Sequence, residues 1–214
     1  KGYDALALSA LAQKKTISAL GTMIGVGKES EIYEALGFGV VVLKLHKIGQ
    51  RSFQTIRTNR EYMPEKTHCP WIFASAKSAK REYEALKALN GKVNVPVPLD
   101  LNRHVIVMSF IAGVNLHRCK LENPDVVWQE ILDQIKAAYD CGFIHGDLSE
   151  YNIMYYDSVV WIIDWPQWIP PGHQNADATL RHDVETVAAV FAKKYQLEYD
   201  IEEALQFITG RTVE

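Results

Sequence analysis

Apolar residues recur every three or four positions in five segments of the chain, a spacing that predicts amphipathic helices. The predicted helices cover residues 3–15, 77–90, 124–141, about 180–196 and 200–209. The pattern is clearest over 124–141, where Asn123 stands at the cap position, Pro124 takes the first helical position and Gly142 follows the last helical residue.

Short apolar runs rich in β-branched residues predict strands between these helices. They cover residues 39–46, 103–111, 151–156 and 159–163, and the glycine-crowded segment 21–37 predicts further strands and turns. Residues 47–75 show no clean period and are expected to form a long, mobile loop with room for one short helix. A sheet-rich first half and a helical second half predict an α+β fold of two lobes with a cleft between them.

Composition narrows the class of protein. The chain has 214 residues, 48% of them hydrophobic and 23% charged, and its formal net charge is −3. Proteins that bind nucleic acid mainly by electrostatics are usually basic, so the charge argues against that class. No apolar run reaches the ~18 residues of a membrane span, and no signal peptide is visible, so we expect a cytoplasmic protein without membrane contact. Three widely spaced cysteines, Cys69, Cys119 and Cys141, predict reduced packing thiols rather than a disulfide framework or a metal finger.

The run I-H-G-D-L-S-E-Y-N, residues 144–152, carries the first candidate chemistry. It places Asp147 and Asn152 five residues apart between a helix and a strand, and Asp164 ends an apolar strand twelve residues later. A carboxylate at a strand end needs solvent, a hydrogen bond or a cation. In the protein-kinase pattern Asp147 is the catalytic base, and Asn152 and Asp164 hold Mg²⁺. A solvated loop aspartate and an asparagine turn are the simpler alternative.

Two misplaced charges in the first half of the chain explain each other. Lys44 lies inside the apolar strand 39–46, on the same face as Val42 and His46. Glu82 lies within the apolar stripe of the 77–90 helix. Kinases use such a strand lysine and helix glutamate to hold the α- and β-phosphates of ATP. The alternative is a lysine that extends to solvent and a glutamate at the rim of the core.

Two further segments are weaker candidates for nucleotide contacts. The glycine segment preceding the lysine strand resembles a phosphate-covering loop, although Ser30 replaces the third glycine; its candidates are Gly25, Gly27, Lys28, Glu29 and Ser30. Amides of residues 27–30 and the Ser30 hydroxyl are expected to face phosphate. At the end of the 103–111 strand, beside Met108, main-chain groups of Ser109 and Ile111 are expected to meet the adenine edge; core strand residues are the alternative there. His145 is expected to pack rather than to act as a base.

Together these motifs resemble the RIO family of atypical protein kinases. The similarity lies in G-x-G-K-E-S-E-I-Y (25–33), L-K-L-H-K (43–47), I-H-G-D-L-S-E-Y-N (144–152) and I-I-D-W-P-Q (162–167). The G-K-E-S run and the leading helix fit the second RIO subfamily, in which this helix follows a winged-helix domain. The resemblance implies the kinase part of an archaeal-type member: a linker helix at 1–20 from an absent winged helix, a kinase N-lobe at 21–110 and a C-lobe at 111–214.

The resemblance also implies an activity. It is ATP-dependent phosphorylation of serine, with autophosphorylation, in maturation of the small ribosomal subunit, using Mg²⁺ or alternatively Mn²⁺. The implied partners are ATP and a small-subunit precursor, both protein and rRNA, with nucleic-acid contact mainly through the winged helix. Ser52, Thr55 and Thr58 are candidate phosphoacceptors in the loop after the lysine strand.

The chain departs from ordinary protein kinases at several points. Gly146 replaces the arginine of H-R-D, no A-P-E motif is present, and the interval from Asp164 to Asp183 leaves little room for an activation loop. D-W-P replaces D-F-G, and Pro166 restricts the backbone there. We expect Asp183 to brace the 145–152 loop from a helix.

Three other functions stay open at this point. One is an ATP-hydrolysing assembly switch in which Asp164 itself accepts the phosphoryl group. Another is a small-molecule kinase of the aminoglycoside-phosphotransferase type, which shares H-G-D and I-D-W. The last is a nucleotide-binding scaffold without catalysis, against which the joint presence of Lys44, Asp147, Asn152 and Asp164 argues.

Overall fold

The computed structural model describes residues 2–48 and 70–211. The helices are α1 (Gly2–Gln13), α2 (Pro70–Leu89), α3 (Pro124–Asp140), α4 (Ala176–Tyr195) and α5 (Ile201–Thr209). The strands are β1 (Ala19–Val26), β2 (Ser30–Leu36), β3 (Val40–His46), β4 (Pro98–Asn102), β5 (Val105–Ser109), β6 (Val114–Asn115), β7 (Ile153–Tyr156) and β8 (Val159–Ile162). A one-turn 3₁₀ helix, Leu116–Arg118, follows β6. The chain forms two compact units, Lys1–Glu84 with Val97–Phe110 and Ala85–Pro96 with Ile111–Glu214.

The first unit is built on a five-stranded antiparallel sheet in the order β1-β2-β3-β5-β4. Side chains alternate between the two faces of a strand, and the odd-numbered residues of β3 join a core that includes Ala7 and Leu11 of α1. The even-numbered residues Lys44 and His46 point to the opposite face, where they meet α2. The central position of β3 therefore buries two basic side chains.

The second unit is mainly helical and carries a short three-stranded sheet in the order β6-β7-β8. The apolar stripe of α3 is buried, and its Trp128 stacks on Tyr199 at 4.3 Å and meets the edge of Phe191 at 5.6 Å. Asp157 and Ser158 join β7 to β8 with φ angles of 48° and 63°, the left-handed pair that a two-residue hairpin turn requires.

The predicted α+β class is confirmed, and every predicted helix and strand is present, most of them with bounds within a few residues of the prediction. The long loop expected over 47–75 is wrong at its end, because α2 already begins at Pro70; residues 49–69 lie outside the described residues. Helix α4 begins at Ala176 rather than near residue 180. After Pro70, helix α2 starts with four consecutive apolar residues, Trp71 to Ala74, which show no helical period, whereas in α4 the buried residues Ala176 and Leu180 extend the apolar spacing to four residues before the predicted start.

The two strands that sequence patterning missed are short and poorly marked. Strand β4 begins at Pro98 and lies at the edge of its sheet, a position where proline is tolerated because no partner strand needs its missing amide. Strand β6 has two residues only. Asn123, expected as the cap of α3, makes no capping hydrogen bond with its side chain.

Within residues 2–48 and 70–211, no helix is long and apolar enough to cross a membrane. Cys119 and Cys141 are free and partly buried, as expected for packing thiols, and Cys69 lies outside the described residues.

Candidate active site

A buried ion pair joins β3 to α2 in the first unit. Lys44 Nζ lies 2.7 Å from Glu82 Oε1, and the two residues are 5% and 1% exposed. Ile32 of β2 and Ile106 of β5 stand opposite Lys44 in the sheet. Because apolar strands flank the lysine on both sides, the Glu82 carboxylate on α2 supplies the buried anion that its charge requires.

The ion pair keeps Glu82 ionised despite its burial. Burial alone would raise the pKa of the Glu82 carboxyl, but the charge of Lys44 and the neighbouring imidazole of His46 outweigh it and lower the pKa below the ordinary 4.5. His46 Nε2 lies 2.8 Å from Glu82 Oε2. His46 lies on the face of Lys44, as expected from the sequence, but no role was predicted for it; alternation along β3 was the signal that could have joined it to Glu82.

The glycine segment forms the β1–β2 turn, and its main chain differs from expectation at one point. The Gly27 amide donates to the carbonyl oxygen of Ser30 at 2.8 Å, which closes the hairpin. The amides of residues 27–30 were expected to face phosphate, but the Gly27 amide is already used in this turn and is not available to bind phosphate. Gly25 pairs with Ile32 inside the sheet, Lys28 is exposed, and Glu29 and Ser30 are partly buried.

The end of β5 shows the same kind of restriction. Met108 is buried, and the Ser109 amide donates to the carbonyl oxygen of Val97 at 2.9 Å. Any main-chain contact between Ser109 and a base must therefore use the Ser109 carbonyl oxygen. Ile111 follows in irregular backbone at the start of the second unit.

In the second unit, Asp183 of α4 holds the 145–152 loop by its main chain. Its Oδ2 accepts from the Gly146 amide at 2.8 Å and its Oδ1 from the Leu148 amide at 3.0 Å. Asp183 is buried, so both oxygens rely on these amides rather than on water. The brace expected from the sequence is present, and it fixes the backbone on either side of Asp147.

Gly146 shows why arginine is absent from this position. Its φ is +81°, and a Cβ atom there would lie 2.7 Å from the carbonyl oxygen of Gln167. Only glycine combines a left-handed backbone with so close an approach. The side chain of Asp147, the next residue, is exposed.

His145 is buried, as expected for a packing residue, and it also orders the loop. Its Nδ1 accepts from the Asp147 amide at 3.3 Å, so Nε2 carries the proton and donates to the carbonyl oxygen of Ile163 at 3.0 Å. Its ring lies 4.6 Å from that of Trp165. His145 therefore ties the loop to the residue preceding Asp164.

Asn152 makes a second connection to the same place. Its carbonyl oxygen accepts from the Ile163 amide at 2.9 Å, and its side-chain Nδ2 donates to the carbonyl oxygen of Asp147 at 2.8 Å. Because the amide nitrogen of the side chain is used inside the loop, Oδ1 is the atom that faces away from this hydrogen bond. The structure thus brings Asp147, Asn152 and the residue before Asp164 into one connected segment.

Asp164 has a left-handed backbone, with φ of 69°, which aspartate tolerates better than most residues. Trp165 behind it is 1% exposed, and its Nε1 donates to the carbonyl oxygen of Ile162 at 3.1 Å. The buried indole fixes the backbone on one side of Asp164, while His145 and Asn152 fix it on the other.

The oxygen atoms of Asn152 and Asp164 are of the type that binds Mg²⁺ together with the phosphates of a nucleotide. Among the described residues no cluster of three or more His, Cys, Asp or Glu side chains could hold a metal by itself. Asn152 Oδ1 and the Asp164 carboxylate would supply hard oxygen ligands, and Mg²⁺ in nucleotide sites takes one or two such ligands and completes its shell with phosphate and water. These residues fit that cation. The candidate phosphoacceptors Ser52, Thr55 and Thr58 lie outside the described residues.

Replacing Gly146 by alanine tests the loop geometry. We expect Gly146→Ala to lower the free energy of unfolding by at least about 2 kcal/mol, since a left-handed alanine costs about 1–2 kcal/mol and its Cβ meets the Gln167 carbonyl. Gly172→Ala is the matched control, because a Cβ there has no neighbour within 4 Å; its effect should stay within about 0.5 kcal/mol. Urea unfolding measures both, and equal effects of the two variants would contradict the assigned geometry.

Solved structures share this fold. The Chaetomium thermophilum Rio2 kinase, solved as an ADP/Mg²⁺-phosphoaspartate complex, superposes with a TM-score of 0.82 at 29% sequence identity, over 96% of this chain and 66% of that one. A second structure of the same kinase gives the same TM-score and identity. The expected kinase-like α+β fold, with a sheet-rich and a helical part, is confirmed.

Sequence relatives point the same way. The chain is 38% identical to the RIO-type serine/threonine-protein kinase Rio2 of Methanocaldococcus jannaschii, over 97% of this chain and 82% of that protein. It is also 38% identical to the serine/threonine-protein kinase rio2 of Dictyostelium discoideum, of which it spans 38% of the length. Identity to the Rio1 kinase of Haloferax volcanii is 30%.

The family model described as the RIO domain matches residues 31–204, which include Lys44, Glu82 and the 145–152 loop. The resemblance drawn from the motifs is therefore confirmed. The chain belongs to the RIO family of atypical serine/threonine-protein kinases.

Proposed function

We propose that the chain transfers the γ-phosphoryl group of ATP to serine hydroxyls of protein, including its own. The observation that carries this proposal is the buried Lys44–Glu82 pair at 2.7 Å. A lysine held this way by a carboxylate keeps its charge inside an apolar sheet, where it can pair with the α- and β-phosphates. The names of the relatives, all serine/threonine-protein kinases, support the same reaction.

The remaining candidates take roles around the transferred group. The Asp147 carboxylate accepts the proton of the serine hydroxyl as the serine oxygen bonds to the γ-phosphorus and the bond to ADP breaks. Asn152 Oδ1 and the Asp164 carboxylate hold Mg²⁺, which neutralises phosphate charge when bound. Asp183, through the amides of Gly146 and Leu148, keeps Asp147 in position. His145 keeps the backbone before Asp164 in place.

Nucleotide contacts complete the proposal. The Ser109 carbonyl oxygen and the main chain of Ile111, beside Met108, bind the adenine edge. The Ser30 hydroxyl and the β1–β2 turn, from Gly25 and Gly27 to Lys28 and Glu29, lie over the phosphates, without use of the Gly27 amide.

A second candidate is an ATPase switch in which Asp164 is itself phosphorylated. The observation that favours it is the phosphoaspartate in the solved Rio2 kinase of Chaetomium thermophilum. A carboxylate oxygen of Asp164 would bond to the γ-phosphorus as ADP leaves, and water would later cleave the acyl phosphate to return the free carboxylate and inorganic phosphate.

We further propose that the protein acts in maturation of the small ribosomal subunit in the cytoplasm, with precursor protein and rRNA as partners. The support is the family resemblance. The N-terminal winged helix, expected before residues 1–20, would make most of the nucleic-acid contact. Sedimentation of the full-length protein with small-subunit precursors tests this role, and a protein that stays at the top of the gradient would contradict it.

Lys44→Met should lower kcat/KM for ATP by about 10- to 100-fold, since it removes a charged hydrogen bond to phosphate worth about 1.5–3 kcal/mol. Alone it also leaves Glu82 buried without its cation, which costs stability. The double variant Lys44→Met/Glu82→Gln removes that charge, so it should recover stability but not phosphoryl transfer. Recovery of transfer in the double variant would argue against the phosphate-binding role of Lys44.

Asp147→Asn should leave ADP and ATP binding within about threefold of wild type and lower phosphoryl transfer by about 10²- to 10⁴-fold, the range for loss of a general base. Asp157→Asn is the matched control, because Asp157 is an exposed aspartate in the β7–β8 turn. Calorimetry and single-turnover transfer measure the two effects. Wild-type transfer in Asp147→Asn would remove this residue from the mechanism.

Labelled ATP with Mg²⁺, followed by mass mapping, separates the kinase from the switch. A kinase yields phosphoserine that resists hydroxylamine, with Ser52 as the candidate serine acceptor after the lysine strand. A switch yields an acyl phosphate that hydroxylamine removes and that Asp164→Asn never forms. Label only in the acyl phosphate would establish the switch, and label only in serine would exclude it.

A further inference from the structure

His46 lies beside the Lys44–Glu82 pair and is not used by the proposed mechanism. It follows Lys44 by two residues on β3, so the two side chains share a face of the sheet. At 2% exposed it is as deeply buried as the pair itself. A buried imidazole with two polar nitrogens needs partners for both.

Helix α2 supplies a partner for each nitrogen of the ring. Nε2 lies 2.8 Å from Glu82 Oε2, and Nδ1 lies 3.1 Å from Ser78 Oγ. Ser78 and Glu82 are four residues apart on α2, so they lie one above the other on the same helix face. The imidazole thus spans one turn of the helix.

The proton positions follow from the chemistry of the partners. The pKa of Glu82 is lowered, so its carboxylate only accepts hydrogen bonds. Glu82 Oε2 and His46 Nε2 lie 2.8 Å apart as an ion-pair contact that is not aligned as a hydrogen bond, and neither atom hydrogen-bonds to any other described residue. A ring nitrogen this close to a carboxylate oxygen carries a proton, so Nε2 presents an N–H group beside Oε2, while Nδ1 contacts the Ser78 hydroxyl.

Lys44 alone does not fix the Glu82 carboxylate. The last torsion of a glutamate side chain is broad, unlike its staggered inner torsions, so one contact at Oε1 leaves the carboxylate plane free to rotate. A second contact at Oε2, from the imidazole at 2.8 Å, restricts this rotation.

We propose that His46 is a positioning residue: its Nε2, 2.8 Å from Glu82 Oε2, restrains the carboxylate plane by this ionic contact and so sets where Glu82 Oε1 holds the ammonium group of Lys44. The inference rests on the proposed role of Lys44 in binding the phosphates of ATP. Glu82 then serves as a two-sided clamp between two basic residues of β3.

Three substitutions at one position separate positioning from packing. His46→Gln can place an amide NH₂ where Nε2 stands, His46→Asn places one near Nδ1, and His46→Phe keeps the ring without either donor. We expect kcat to fall about tenfold or more in His46→Phe and His46→Asn, with KM for ATP within about threefold, because a small displacement affects the transition state most. His46→Gln should stay within about threefold of the wild-type kcat. Equal impairment of the Gln and Phe variants, or a wild-type kcat in His46→Phe, would overturn the proposal.

A second measurement needs no activity and separates failure of this inference from failure of the proposed function. In a crystal structure of His46→Phe we expect the Glu82 carboxylate to rotate so that Oε1 no longer lies 2.7 Å from Lys44 Nζ, and in His46→Gln we expect this hydrogen bond to remain. An intact Lys44–Glu82 hydrogen bond in His46→Phe would overturn the positioning role even in a protein that transfers no phosphate. A hydrogen bond broken in His46→Phe and intact in His46→Gln would support that role in the same protein.

Discussion

Removal of the Lys44–Glu82 pair from water is the constraint on which the first unit depends. Desolvation of two charges costs several kcal/mol per ion, and their attraction repays this only when the geometry is good and the remaining lone pairs are satisfied. The central strand β3, the overlying face of α2 and the ring of His46 supply that geometry. An apolar pair of similar volume would serve stability about as well, so the charges are explained by the phosphate chemistry proposed for them rather than by folding.

In the second unit, hydrogen bonds to main-chain groups hold the segments that carry the acidic residues of the proposed chemistry. Asp183 holds the amides of Gly146 and Leu148, while His145 and Asn152 hold the carbonyl oxygen and the amide of Ile163. These hydrogen bonds fix the backbone that carries Asp147 and Asp164. The place of each aspartate in the structure therefore does not depend on the contacts of its own side chain.

Local contradictions in the sequence predicted most of the candidate site. A lysine in an apolar strand and a glutamate in an apolar helical stripe each break their pattern, and together they indicated the pair that the structure contains. Hydrogen bonds of the main chain leave no such signal in the sequence. The Gly27 amide is used in a turn and the Ser109 amide bonds to the carbonyl oxygen of Val97, and neither bond can be read from residue types alone. His46 was missed because a histidine at the end of a strand breaks no pattern, and β4 was missed because its proline is acceptable only at a sheet edge.

The buried indole of Trp165 has a consequence for inhibitor selectivity. Compounds that select kinases by displacing the metal-binding aspartate require the aromatic residue after it to leave its pocket. In this chain the residue after Asp164, the proposed metal ligand, is Trp165, which is nearly inaccessible and whose Nε1 donates to the Ile162 carbonyl oxygen. Exposing a large apolar side chain costs about 1.5–3 kcal/mol, and loss of the hydrogen bond adds about 1 kcal/mol. Compounds of that kind would forfeit about two to three orders of magnitude in affinity, whereas ligands that leave Asp164 in place would not.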